Sequence, residues 1–158
     1  CNHPEYDYFI NVNSAQPTAG DTYGFLVTYS DGTSETVNTS VTGLVTAFAT
    51  GLSPSGSVPG NTTPTFTWTD PASASSYTYQ FFLNDNLGNT IWQIPGSNSN
   101  LNGFSSSITS IPWGTDPTGN SGNTPSVPNL TTGTTYNWQI NVQDTNGNTA
   151  QQLVSFTP

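Results

Sequence analysis

The strongest constraint on the fold is a repeated run of alternating side chains. Tyr77-Thr-Tyr-Gln-Phe-Phe-Leu-Asn-Asp85-Asn-Leu-Gly88-Asn89-Thr90 aligns without gaps onto Tyr136-Asn-Trp-Gln-Ile-Asn-Val-Gln-Asp144-Thr-Asn-Gly147-Asn148-Thr149, 59 residues further on. In both copies bulky residues recur at every second position: Tyr77, Tyr79, Phe81 and Leu83, then Tyr136, Trp138, Ile140 and Val142. A period of two belongs to a strand. It puts those residues on one face and Thr78, Gln80, Asn137 and Gln139 on the other. Each copy then turns through Gly-Asn into a second strand, Thr90 to Ile94 or Thr149 to Phe156. Two similar hairpins are expected, facing one another across a sandwich.

The rest of the chain agrees with an all-β reading. Phe25, Val27 and Tyr29 alternate with Leu26, Thr28 and Ser30, followed by Asp31-Gly32 and renewed alternation from Thr33 to Val37. Asp-Gly between alternating runs signals a tight hairpin with both turn residues at positive φ. Further strands are expected at Tyr6 to Val12 and Leu44 to Ala49. The stretch Gly51 to Thr63 is rich in Pro and Gly and reads as a linker. It places a boundary near residue 52, giving a β segment over 1–51 and a second domain over 52–158. Helix formers are scarce, while 27 of the 158 residues are Thr. Nineteen aromatics at periodic positions argue against a disordered chain.

The chain has no Lys and no Arg, and its nine carboxylates give a net charge of −9. Without cations it cannot neutralise phosphates, which excludes nucleic-acid binding. There is no phosphate-loop Lys, no Schiff-base Lys and no basic patch for anionic lipid. No apolar run reaches transmembrane length. The single Cys cannot form an intrachain disulfide. A Thr-, Ser- and Asn-rich chain beginning at Cys1 resembles processed, secreted or cell-surface material.

Residues 52–158 resemble a fibronectin type III or immunoglobulin-like sandwich of bacterial secreted proteins. Pro64-Thr-Phe66-Thr-Trp68 resembles the second strand with its inward Trp, and Tyr77 to Leu83 the third. Leu130-Thr-Thr-Gly-Thr-Thr-Tyr136 resembles the entry to the sixth strand, and Asp144 to Asn148 the turn before the last. The resemblance implies that Tyr136 ties its loop back to the sheet. It covers about two-thirds of the chain and says little about activity. The long stretch Pro95 to Asn129 departs from it.

Candidate sites are few. The only His is His3, so a Ser-His or Cys-His pair has nowhere else to form. Five of the nine carboxylates sit in turns or before Pro, where turn chemistry accounts for them. No enzymatic activity and no cofactor are expected. Asp85 with Asn89 and Asp144 with Asn148 offer hard oxygens to a structural Ca2+, but the same residues make ordinary hairpin turns. Cys1-Asn2-His3 fits a square-planar Cu(II) or Ni(II) site when its amine is free. A lipidated Cys1 would instead anchor the chain to a membrane, the one membrane contact open to it. Trp113, in a loop, and Trp92, on a short strand, are candidates for stacking on sugar rings, with a core role as the alternative. Asn38, Asn61 and Asn129 begin N-glycosylation sequons.

The expected function is that of a non-enzymatic extracellular structural or adhesive protein. It would associate with itself into a fibre, or with other surface proteins, through strand addition by Tyr6 to Val12. A carbohydrate-binding module of a larger secreted protein is the alternative.

Overall fold

A computed structural model describes residues 16–158 of the chain. The chain forms two compact units that meet between Leu44 and Val45.

Among the described residues the first unit contains one hairpin, β1 (Thr22–Thr28) and β2 (Ser34–Ser40). The strands pair antiparallel, Thr22 opposite Ser40 and Thr28 opposite Ser34. The connection differs from the tight turn expected. Gly32 alone takes positive φ, at 85°. Gly32 N–H donates to Tyr29 O at 3.0 Å and Tyr29 N–H to Thr33 O at 2.8 Å. This is a three-residue connection with glycine in the left-handed position. Asp31 keeps negative φ because its carboxylate accepts the Thr33 N–H (2.9 Å) and hydroxyl (2.6 Å). The expected strand Tyr6 to Val12 lies outside the described residues.

The second unit holds β3 (Thr50–Ser53), β4 (Gly56–Ser57), β5 (Thr65–Thr69), β6 (Thr78–Asn84), β7 (Thr90–Ile94), β8 (Phe104–Ser105), β9 (Ser110–Pro112), β10 (Tyr136–Gln143) and β11 (Thr149–Thr157). A 3₁₀ turn, Ala74–Ser76, precedes β6. One sheet runs β3-β5-β9. The other runs β4-β11-β10-β6-β7, with β8 also paired to β6. β4 joins β11 in parallel, and the other pairings are antiparallel. Leu44 to Ala49 forms no strand. The strand begins at Thr50 and covers the expected boundary near residue 52, because Ala49 and Leu52 are core residues of this unit.

The two sheets close on an aromatic core, so the unit is a β-sandwich. Phe66 of the smaller sheet meets Phe81, Trp138, Phe156 and Trp92 of the larger at 4.9, 5.1, 5.9 and 6.2 Å between centroids. The period-two positions do what alternation dictates: Tyr79, Phe81, Leu83, Trp138, Ile140 and Val142 are wholly buried. Each such side chain contributes about 1.5–3 kcal/mol by burial. Trp138 also satisfies its indole N–H, which donates to Pro54 O at 2.8 Å. Tyr136 behaves as expected: its hydroxyl accepts the Thr131 N–H at 3.0 Å and fixes the loop to the sheet.

The repeated hairpins do not face each other. β6 and β10 are neighbours in one sheet, and Phe81 lies opposite Ile140, its own equivalent 59 residues on. A local two-fold axis normal to the sheet passes between them. The hairpins are side by side, and their Asp85 and Asp144 turns lie at opposite ends of the sheet.

Candidate functional site

The candidate site is the hairpin's pair of edges, which no other described strand pairs. Antiparallel strands alternate between pairs that exchange hydrogen bonds and pairs that do not. Val41 N–H donates to Asp21 O at 2.9 Å, which fixes the phase. Residues 23, 25 and 27 therefore bond across to 39, 37 and 35. The backbone groups of Thr22, Gly24, Leu26 and Thr28, and of Ser34, Thr36, Asn38 and Ser40, turn away from the partner. Among the described strands, β1 and β2 pair only with each other.

The side chains sort in the same way. Tyr23, Phe25, Val27 and Val37 share one face with Thr39 and Glu35, while Leu26 and hydroxyl or amide residues occupy the other. Every residue of β2 is exposed, and Val37 remains 45% exposed. A two-stranded hairpin is marginal without a further strand or a covering layer. Apart from Glu35, neither strand carries the charges, Pro or bulge that blunt an edge.

The sandwich treats its edges differently. β4 has two residues and β9 three, the latter ending in Pro112. β3 is interrupted by a register shift and is followed by Pro54. β7 is covered by the loop that departs from the resemblance. Ser126 N–H donates to Ile91 O at 2.8 Å, and Asn123 Nδ2 to Gln93 O at 3.0 Å. Asn123 is held in turn by Asp116 Oδ2 at 2.7 Å. This cover left no signal in the sequence, since Asn123 sits in a Gly- and Ser-rich stretch like any loop Asn.

The other candidate residues are dispersed. Asp85 Oδ1 accepts the N–H groups of Leu87 (2.9 Å) and Asn89 (2.8 Å), and Oδ2 accepts Asn89 Nδ2 (2.9 Å). Asp144 repeats this with Asn146 (2.8 Å), Asn148 (2.9 Å) and Asn148 Nδ2 (2.9 Å). The asparagine amide is the main cause that holds each carboxyl below its usual range, with backbone N–H groups adding to it. These oxygens close turns, and the two turns cannot share an ion. Among the described residues no three His, Cys, Asp or Glu side chains cluster as a metal site would need. Tyr79 Oη donates to Asp70 Oδ1 at 2.8 Å, and burial, then this bond, push the phenol well above its ordinary pKa.

Trp92 is a core residue, only 2% exposed, and so has no face for a sugar. It is not an edge ring, because strand β7 points it inward against Phe66 and Phe81. Trp113 is half-buried, packs edge-on against Trp92 at 5.7 Å and donates its indole N–H to Pro128 O at 2.9 Å. Asn38, Asn61 and Asn129 are all exposed. Asn38 lies on the polar face of the hairpin opposite Gly24. A backbone bond from Leu130 N–H to Thr62 O, at 2.9 Å, joins the other two sequons. Cys1 and His3 lie outside the described residues.

No helix among the described residues is long and apolar enough to cross a membrane. No protein-family model matches the chain. No curated protein matches it. Solved structures similar to the chain include two of low identity. CopC from Methylosinus trichosporium OB3b is 13% identical over 70% of this chain and 91% of its own, with a TM-score of 0.40. The rat CD45 extracellular region, domains d3–d4, is 12% identical over 98% of this chain and 78% of its own, also with a TM-score of 0.40. At that score neither likeness bears on function.

Proposed function

We propose that the chain is a non-enzymatic extracellular structural subunit that assembles by adding a β-strand from a neighbouring copy to the open hairpin. The contrast between the two units carries this reading. Most edges of the sandwich are short, irregular or covered, β11 excepted, which β4 pairs only at Phe156 and Thr157, whereas both edges of β1–β2 are free of any other described strand along their whole length. Strand addition supplies the missing ladder bonds, and alternate side chains of the incoming strand extend the apolar face of Phe25 and Val37. A contact of this kind is heterologous, and its repetition gives a fibre.

The sandwich would act as the spacing body of that fibre. Its strand order, with the corner bond of Tyr136, supports a fibronectin type III or immunoglobulin-like assignment. The lack of Lys, which elsewhere discourages edge pairing, supports an assembling edge. The donor segment on this reading is Tyr6 to Val12. Deleting residues 1–13 should leave soluble monomers by light scattering. Filaments that persist in the truncated chain would rule out this donor.

A further inference from the structure

The outward face of the larger sheet is a second place where the side chains are prepared for a partner. Its outward positions on β6, β7, β10 and β11 carry amides, hydroxyls and apolar groups, and no charged side chain, in a chain of net charge −9. The amides are not loose. Gln151 Nε2 donates to Gln139 Oε1 (2.9 Å), Gln139 Nε2 to Asn141 Oδ1 (3.1 Å), Asn141 Nδ2 to Gln80 Oε1 (3.4 Å) and Gln80 Nε2 to Asn102 O (2.8 Å). The relay crosses three strands. A carboxamide has two N–H groups and two lone pairs, and Gln139 spends one of each on its neighbours. The remainder form an ordered array of donors and acceptors whose side-chain entropy is already lost, which is what preorganisation means for binding.

Two apolar side chains stand within this array, one on each side of Gln139. Across the sheet, Leu153, Gln139, Phe82 and Gln93 stand in one row. Leu153 is 45% exposed and Phe82 half-buried. They stand about 10 Å apart, two strand spacings.

We infer that this face binds a neutral polysaccharide. Charge decides the class. A polyanion is repelled by the net −9, and a basic partner finds no carboxylate here. A neutral glycan matches both parts of the surface: paired hydroxyls meet the free N–H and C=O positions of Gln139 and its neighbours, and the C–H faces of the rings lie over Phe82 and Leu153. This site is separate from Trp92 and Trp113. It rests on the sandwich alone and does not depend on assembly by the hairpin.

The test applies the full chain to an array of neutral and polyanionic glycans, with Gln139→Glu, Leu153→Glu and Trp113→Ala as variants. Near-ultraviolet circular dichroism selects the folded ones. Binding to at least one neutral glycan is expected. It should fall about tenfold in each Glu variant, the equivalent of one net hydrogen bond, and stay unchanged in Trp113→Ala. Absence of any neutral-glycan signal, or binding by both Glu variants as strong as that of the unaltered chain, overturns the inference. If the Glu variants instead only reduce particle size in sedimentation velocity, the face is a contact between copies and the inference also fails.

Discussion

Tyr136 gives its hydroxyl to a single backbone N–H, that of Thr131, and the effect of that bond is measurable. Tyr136→Phe keeps the ring against Phe156 and removes the acceptor of the Thr131 N–H. The expected loss is about 0.5–1.5 kcal/mol in urea denaturation with an unchanged m-value. An unaltered midpoint would show the bond to be dispensable. Asp85 and Asp144 make a second residue-scale prediction. Both carboxyls have depressed pKa values in the folded state, first through the amides of Asn89 and Asn148. Their contribution is therefore present above the unfolded carboxylate value of about 3.9 and is lost as pH falls through the lower folded values. Asp85→Asn with Asp144→Asn should flatten the acid limb of the melting curve below about pH 4. The turn role of these residues was legible, because Asp and Gly at fixed spacing have few other local uses. The burial of Trp92 was not. Its strand is short, and a five-residue run does not reveal which way its ring points.

Among the elements, the strands were readable to within a residue or two: β6 and β10 lie where period-two spacing put them, β7 and β11 follow the expected turns, and β5 lies where the family resemblance put it. Leu44 to Ala49 is apolar but has no partner strand among the described residues, and pairing rather than composition makes a strand. The cover on β7 was illegible for a related reason: Asn123 and Ser126 reach the edge across thirty residues or more, and no local spacing records that. It makes a prediction at this scale. Asn123→Ala removes the bonds to Gln93 O and Asp116 together and opens half the edge. The sandwich should lose about 1–2 kcal/mol. It should also begin to self-associate on concentration, read by light scattering. A monomeric variant of unchanged stability would mean that the edge needs no cover.

For the whole molecule, the repeat named the right residues and the wrong arrangement. Equivalence between Tyr77–Thr90 and Tyr136–Thr149 is compatible with hairpins stacked face to face or laid side by side, since both bury the same alternate positions. The register of Phe81 against Ile140 decides for the second. The boundary was misplaced because a Pro- and Gly-rich stretch also describes short irregular strands, and β3 and β4 lie within it. What remains is a sandwich whose edges are mostly short or covered and a hairpin whose edges no other described strand pairs. If the open edge is the assembly surface, blocking it must stop assembly without unfolding anything. Thr36 lies in a pair that exchanges no bonds with Leu26, so Thr36→Pro removes an outward N–H from β2 and leaves the hairpin ladder whole. Electron microscopy of the full-length chain should show filaments for the unaltered protein and single particles for Thr36→Pro at the same concentration. Filaments of equal length and number in the variant would contradict strand addition at this edge.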